Sequence, residues 1–372
     1  MSLMNLAARK RKFASHLSRA YPQGNRMQPT INTGLIGFGL AGSAFHAPII
    51  ETTPGLNLVA INSSRTKQIQ SSYPNVQVYQ TPQQILQDST IKLVVIASPT
   101  STHYDLIKQA LHAGKHVVID KPFVITSHEA KELITLAKHK NKQLCVYQNR
   151  RWDNDFLTIK ALIQDKTLGN LYHFESHFDR FRPYIQTEKW REQDQPGSGL
   201  LYDLGAHLID QALALFGMPH WVQADVSKQR PNAVVDDYFH IIFGYDQLRV
   251  ILHSSSVVKA STPRFTLHGD QGSFVKFGLD PQEAALRAEL TPENHLQWGV
   301  EDEALSGALT TEGDEKKVVS IPGAYPNFYQ HVYESITKGK PFPITQKQAV
   351  QVIHLIEVSK QSADENRRIF IS

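Results

Sequence analysis

The stretch Thr33-Gly34-Leu35-Ile36-Gly37-Phe38-Gly39-Leu40-Ala41-Gly42 decides how this chain folds. An apolar run closes on three glycines spaced G-x-G-x-x-G, the pattern of a strand that turns sharply into a helix. Gly37 permits the turn, Gly39 lets the main chain approach a pyrophosphate, and Gly42 lets the helix lie close on the strand. Phosphate oxygens would meet N–H groups at the positive end of the helix dipole, so Gly37, Phe38, Gly39, Leu40 and Gly42 are expected to bind a dinucleotide.

The neighbouring sequence supplies the context that the glycines require. Leu58–Ile61, Val76–Tyr79, Leu93–Ala97, His116–Ile119 and Leu144–Tyr147 read as buried strands, and residues 106–111 and 129–137 carry apolar residues at helical spacing. Near-continuous apolar strands joined by helical crossovers predict a parallel sheet that binds its ligand at the strands' carboxyl ends. We therefore expect an N-terminal dinucleotide-binding domain over residues 30–150.

Cofactor choice is read from an absence. NAD-preferring sheets carry an acid about 20 residues past the glycines, yet no acid occurs between Glu51 and Asp88. The second strand ends instead in Asn62-Ser63-Ser64-Arg65-Thr66-Lys67. Ser63, Ser64 and Arg65 suit a 2′-phosphate, because hydrogen bonds to charged groups are worth roughly 1.5–3 kcal/mol each. NADP is predicted over NAD.

Two further strand ends carry polar groups. Ser98-Pro99-Thr100-Ser101-Thr102-His103 can cap the next helix while passing beside the cofactor, with His103 structural or cofactor-adjacent. Asp120-Lys121-Pro122 places a lysine at the edge of a buried strand, where packing explains it poorly. Lys121 is thus the candidate in this half for touching substrate.

Beyond Asn149-Arg150-Arg151-Trp152 the alternation stops. A helix near residues 153–164 precedes β-rich segments over 172–181, 221–226, 238–245, 248–258, 264–268 and 273–277, which predict an antiparallel sheet. One face would cover a helix and the other would pair subunits into a homodimer or homotetramer. Residues 278–313 read as polar loops, and helices return near 328–337 and 348–362. Residues 151–372 are expected to form this second, substrate-binding domain.

In Gly199-Leu200-Leu201-Tyr202-Asp203-Leu204-Gly205-Ala206-His207 a helix would place Asp203 and His207 on one face. A neutral imidazole accepts an alcohol proton near pH 7, and a carboxylate can orient it. Neither HExxH nor paired cysteines occur despite 17 histidines, so no metal is predicted.

Composition bounds the remaining possibilities. The 372 residues exceed the usual single core, and 41% hydrophobic with 20% charged residues is ordinary for a soluble protein. A net charge of +4 does not argue for nucleic acid, and no apolar run is long enough to predict a membrane span. A single cysteine, Cys145, fits a reducing cytoplasm. Residues 1–29 read as a basic leader, with Arg9, Lys10, Arg11, Lys12, Arg19 and Arg26 and no acid; a disordered or non-native segment is expected, with Met27 an alternative start.

Gly37-x-Gly39-x-x-Gly42, Asp120-Lys121-Pro122 and Asp203-x-Gly205-x-His207, in this order, resemble the Gfo/Idh/MocA dehydrogenases over essentially all of residues 30–372. The resemblance implies an α/β protein: a Rossmann domain followed by an α/β domain with a large, mostly antiparallel sheet. It also implies that Lys121, Asp203 and His207 are catalytic. Residues 44–48, 148–156 and 201–205 further resemble a bacterial subgroup that includes an NADP-dependent scyllo-inositol dehydrogenase. A cyclic polyol, or alternatively an aldose, is then the expected substrate, with Asp120, Asn149, Arg151, Trp190 and Arg191 beside the cofactor. The competing expectation is a non-catalytic NADP-binding regulator, since the family also contains the yeast galactose repressor.

Overall fold

The glycine-ended strand lies at the centre of a six-stranded, wholly parallel sheet in a computed structural model that describes residues 29–371. The predicted basic leader falls outside the described residues, apart from its last position. The strands are β1 (Ile31–Ile36), β2 (Leu56–Asn62), β3 (Gln77–Tyr79), β4 (Leu93–Ile96), β5 (His116–Ile119) and β6 (Leu144–Val146). Their order is β3-β2-β1-β4-β5-β6, the dinucleotide-binding arrangement in which strand order reverses between β1 and β4. That reversal opens a crevice at the carboxyl ends, where Gly37, Ser63, Ser98 and Lys121 follow β1, β2, β4 and β5.

Local chemistry sets the crossovers. Helix Ser127–His139 begins with a capping box: Thr126 Oγ1 accepts the Glu129 N–H at 3.2 Å, and Glu129 accepts the Thr126 N–H at 3.0 Å. Its Ala130, Leu133, Ile134 and Ala137 form the buried stripe.

The second sheet has nine strands: β7 (Leu171–His177), β8 (Trp221–Ser227), β9 (Tyr238–Gly244), β10 (Arg249–Ser255), β11 (Phe265–Gly269), β12 (Ser273–Lys276), β13 (Gly307–Thr311), β14 (Asp314–Val318) and β15 (Ile369–Phe370). The order is β14-β13-β12-β11-β7-β10-β9-β8-β15. It is mostly antiparallel; β7 and β10 pair in parallel. Helices Ala206–Phe216 and Gln346–Glu365 cover one face, burying Phe174, Phe239, Ile241, Phe243, Val250 and Leu252. The alternate residues, including His173, Glu175, His177, His240 and His253, stand on the other face.

Two expectations are corrected. Residues 278–313 are not simply loops, since they contain helix Gln282–Arg287 and strand β13. Strand β13 pairs with β14, whose sequence Asp314-Glu315-Lys316-Lys317-Val318 is exposed at its first four positions and so carries no apolar alternation. The segment holding Asp203 is also not plain α-helix. Leu201–Gly205 is a π-helical turn, and the α-helix starts at Ala206.

Candidate active site

The glycine turn is built as a phosphate cradle requires. Gly37 has φ +95°, and a Cβ there would lie 2.6 Å from the Ala97 carbonyl oxygen. A Cβ on Gly42 would collide with the Gly37 carbonyl, so the helix can lie this close only without a side chain. Nothing lies within 4 Å of a Cβ built on Gly39, which leaves open space before the turn. The helix behind it opens as a π-helical turn, Ala41–His46, and continues as α-helix Ala47–Glu51. These features fit the pyrophosphate of a dinucleotide. Phe38 turns its ring inward against Tyr73, so only its main chain can face a ligand.

Arg65 reaches back over this turn, its Nη1 donating to the Phe38 carbonyl at 3.2 Å. Ser63 Oγ accepts the Arg65 N–H at 3.2 Å, while Ser64 and Arg65 are exposed. A guanidinium anchored by one N–H keeps its others for an anion. At the end of β4, the Ser98 and Thr102 hydroxyls lie 2.6 Å apart, and Thr100 is buried. His103 is also buried, with Nε2 2.9 Å from the Ser98 carbonyl and Nδ1 3.0 Å from that of Pro122. Its ring ties two loops together, and burial pushes its pKa down.

Lys121 and Asp203, 82 positions apart, meet directly. Lys121 Nζ donates to Asp203 Oδ1 at 2.9 Å and to its carbonyl at 2.8 Å. Arg191 Nε lies 3.2 Å from Asp203 Oδ1, and Arg180 Nη1 lies 3.6 Å from Oδ2. Burial would raise the Asp203 pKa, but Lys121, Arg191 and Arg180 outweigh it and hold the carboxyl well below its usual range. Burial lowers the Lys121 pKa against the pull of Asp203, and Arg191 adds to the lowering.

His207 is 4% exposed, and its Nδ1 is buried without a hydrogen-bond partner. Burial first, then the charges of Lys121, Arg150 and Arg180, press its pKa well below 6.5. The imidazole is therefore held in its neutral form with an unpartnered ring nitrogen, beside a cation able to steady an oxyanion. Asp120 connects this edge to the glycine helix. Its Oδ1 accepts the Lys121 N–H at 2.8 Å and lies 3.9 Å from His46 Nε2, whose Nδ1 is 2.6 Å from the Tyr329 hydroxyl.

The remaining predicted residues divide. Arg191 stacks over Trp190 at 4.4 Å and reaches Asp203, so this pair joins the site. Asn149 is half-buried in the turn after β6. Arg151 points to Asp210 instead, through bonds of 2.7 and 2.8 Å. Sequence reasoning missed Arg180 and His46. Arg180 follows β7 and is brought to Asp203 only by tertiary packing.

Comparisons with known proteins agree with this architecture. Residues 31–148 match the oxidoreductase family's NAD-binding Rossmann fold, and residues 160–371 match its C-terminal alpha/beta domain. The chain is 44% identical to the uncharacterized oxidoreductase YdgJ of Escherichia coli, covering 91% of this chain and 97% of that one. It is 41% identical to the scyllo-inositol 2-dehydrogenase (NADP(+)) IolW of Bacillus subtilis, covering 94% and 98%. A solved oxidoreductase, yvaA of B. subtilis, superposes with TM-score 0.90 at 40% identity, covering 94% of this chain and all of that one. The chain belongs to the Gfo/Idh/MocA oxidoreductase family, with a Rossmann NAD(P)-binding domain followed by the family's C-terminal α/β domain.

Proposed function

We propose that this protein is an NADP-dependent dehydrogenase that interconverts a secondary alcohol of a cyclic polyol, scyllo-inositol or a close relative, and the corresponding ketone. The observation that carries the reading is the neutral, unpartnered His207 beside the Lys121–Asp203 ion pair at the carboxyl end of β5. The name of the IolW relative supports the substrate class and the phosphate-bearing cofactor.

A dinucleotide held by the glycine turn would supply the hydride acceptor for oxidation of the alcohol carbon and, in its reduced form, the hydride donor for the reverse reaction. His207 removes the hydroxyl proton during oxidation and restores it during reduction. Lys121 donates a hydrogen bond to the same oxygen and stabilises its developing negative charge. Asp203 orients Lys121, and Arg180 and Arg191 keep Asp203 ionised. Arg65, Ser63 and Ser64 hold the 2′-phosphate, and the glycine turn holds the pyrophosphate. The enzyme acts in the cytoplasm as a homodimer or homotetramer joined through the open face of the nine-stranded sheet.

Purified protein offered NADP or NAD with a panel of inositols and aldoses tests the reading by NADPH or NADH absorbance. Turnover is expected with NADP and an inositol, and Arg65→Asp should lower kcat/KM for NADP about 10-fold or more while sparing NAD, in keeping with loss of a charge-assisted contact. Tight NADP binding without turnover of any polyol or sugar would favour the regulator, and an unchanged cofactor preference would remove Arg65 from phosphate recognition.

A further inference from the structure

The open face of the nine-stranded sheet carries a second group of chemistry-bearing side chains that the dehydrogenase reading does not use. His177 at the end of β7, Asp179 just beyond it and His253 on β10 offer two ring nitrogens and one carboxylate, all within 4.8 Å of one another. His177 Nδ1 lies 2.9 Å from Asp179 Oδ2, and His253 Nε2 lies 3.5 Å from Asp179 Oδ1. Ligands held about 2.0–2.2 Å from a tetrahedral zinc ion stand roughly 3.4 Å apart. One carboxylate oxygen and the two ring nitrogens, all within 4.8 Å of one another, would draw together to reach that separation around one ion.

The groups behind these donors match what metal-binding histidines require, because the ring nitrogen that does not ligate is normally held by a second partner. His177 Nε2 is 2.7 Å from Glu175 Oε1, and His253 Nδ1 is 3.3 Å from His240 Nδ1. Asp179 is oriented as well: Oδ1 accepts the Ser255 N–H at 3.0 Å and Oδ2 accepts the Thr262 hydroxyl at 2.9 Å. All three donors are half-buried on the face proposed above to pair subunits, and two of them, His177 and Asp179, line a cleft with Val258, Ala260 and Thr262.

From this arrangement we propose that His177, Asp179 and His253 bind one divalent transition-metal ion, of the zinc, cobalt or nickel class, outside the dehydrogenase site. Imidazole donors favour these ions over magnesium or calcium, which prefer all-oxygen sites. The ion would bridge β7 to β10 at the root of the segment that carries Arg180, so its role is to hold that segment and not to take part in hydride transfer. The three ligands include a pair 76 positions apart, beyond the reach of any short sequence motif.

Chelator-treated full-length protein titrated with Zn2+ by calorimetry, and with Co2+ by visible absorbance, tests the assignment. One equivalent per chain is expected, with affinity lowered at least 10-fold in both Asp179→Asn and His253→Gln but unchanged in His268→Gln, a histidine of the neighbouring β11. Wild-type thermal unfolding provides a reading that needs no variant, since an ion bound only by the folded state raises the midpoint as its concentration rises. No uptake at millimolar Zn2+ and Co2+ together with an unmoved midpoint, or equal affinity in wild type and both ligand variants, would overturn the proposal and leave the cluster as a network of proton-bridged ion pairs.

Discussion

Replacing His207 with alanine is expected to lower kcat by about 10²–10⁴-fold, the range for loss of a positioned acid or base, while NADP affinity changes little. The separation follows from the geometry. His207 lies on helix Ala206–Phe216 against the Lys121–Asp203 pair, whereas the glycine turn and Arg65 belong to other strand ends. Steady-state kinetics together with NADP titration monitored by fluorescence checks this, and near-normal turnover would remove His207 from the mechanism. The pH profile carries the same information with a definite sign. Oxidation requires the neutral ring, and the His207 pKa is depressed well below 6.5. As pH falls, kcat/KM should hold through the ordinary histidine range and decline only beneath it. Stability behaves differently. The unfolded chain takes up a proton near pH 6.5 while the folded ring resists, so this residue's contribution to stability is lost below about pH 6.5.

Lys121→Met should have the second large effect, a fall in kcat of about 10²–10³-fold, comparable with removal of one oxyanion donor. It also deprives Asp203 of its shortest ion-pair partner, leaving Arg191 at 3.2 Å and Arg180 at 3.6 Å. Breaking a buried pair costs about 3–5 kcal/mol when the survivor is stranded; the two arginines should keep the loss below that range, measured by denaturant unfolding. Normal kcat in Lys121→Met would leave the lysine a purely structural part of the site.

The parts of this account that were legible in sequence are those whose physics is local. The glycine turn needs its three small residues within six positions, and both Asp120-Lys121-Pro122 and Asp203-x-Gly205-x-His207 sit at element ends where packing alone would not choose charged groups. The missed parts depend on pairings distant in sequence. Arg180 has no motif, and its relation to Asp203 exists only after β7 and the π-helical turn are brought together. Arg151 lies next to a motif, yet Asp210 on a covering helix takes up its guanidinium. The β13–β14 hairpin was hidden because its outer strand buries almost nothing, so hydrogen-bonded pairing left no hydrophobic period to read.

Isotope transfer shows whether this chain carries out the proposed hydride transfer between a cyclic polyol and NADP. Purified protein is incubated with NADP and scyllo-inositol deuterated at its ring carbons, and the recovered cofactor is examined by mass spectrometry. Each NADPH formed should carry one deuterium, with a matching amount of ketone. Unlabelled cofactor recovered unchanged, from protein that binds NADP and keeps Lys121, Asp203 and His207 intact, would contradict that transfer.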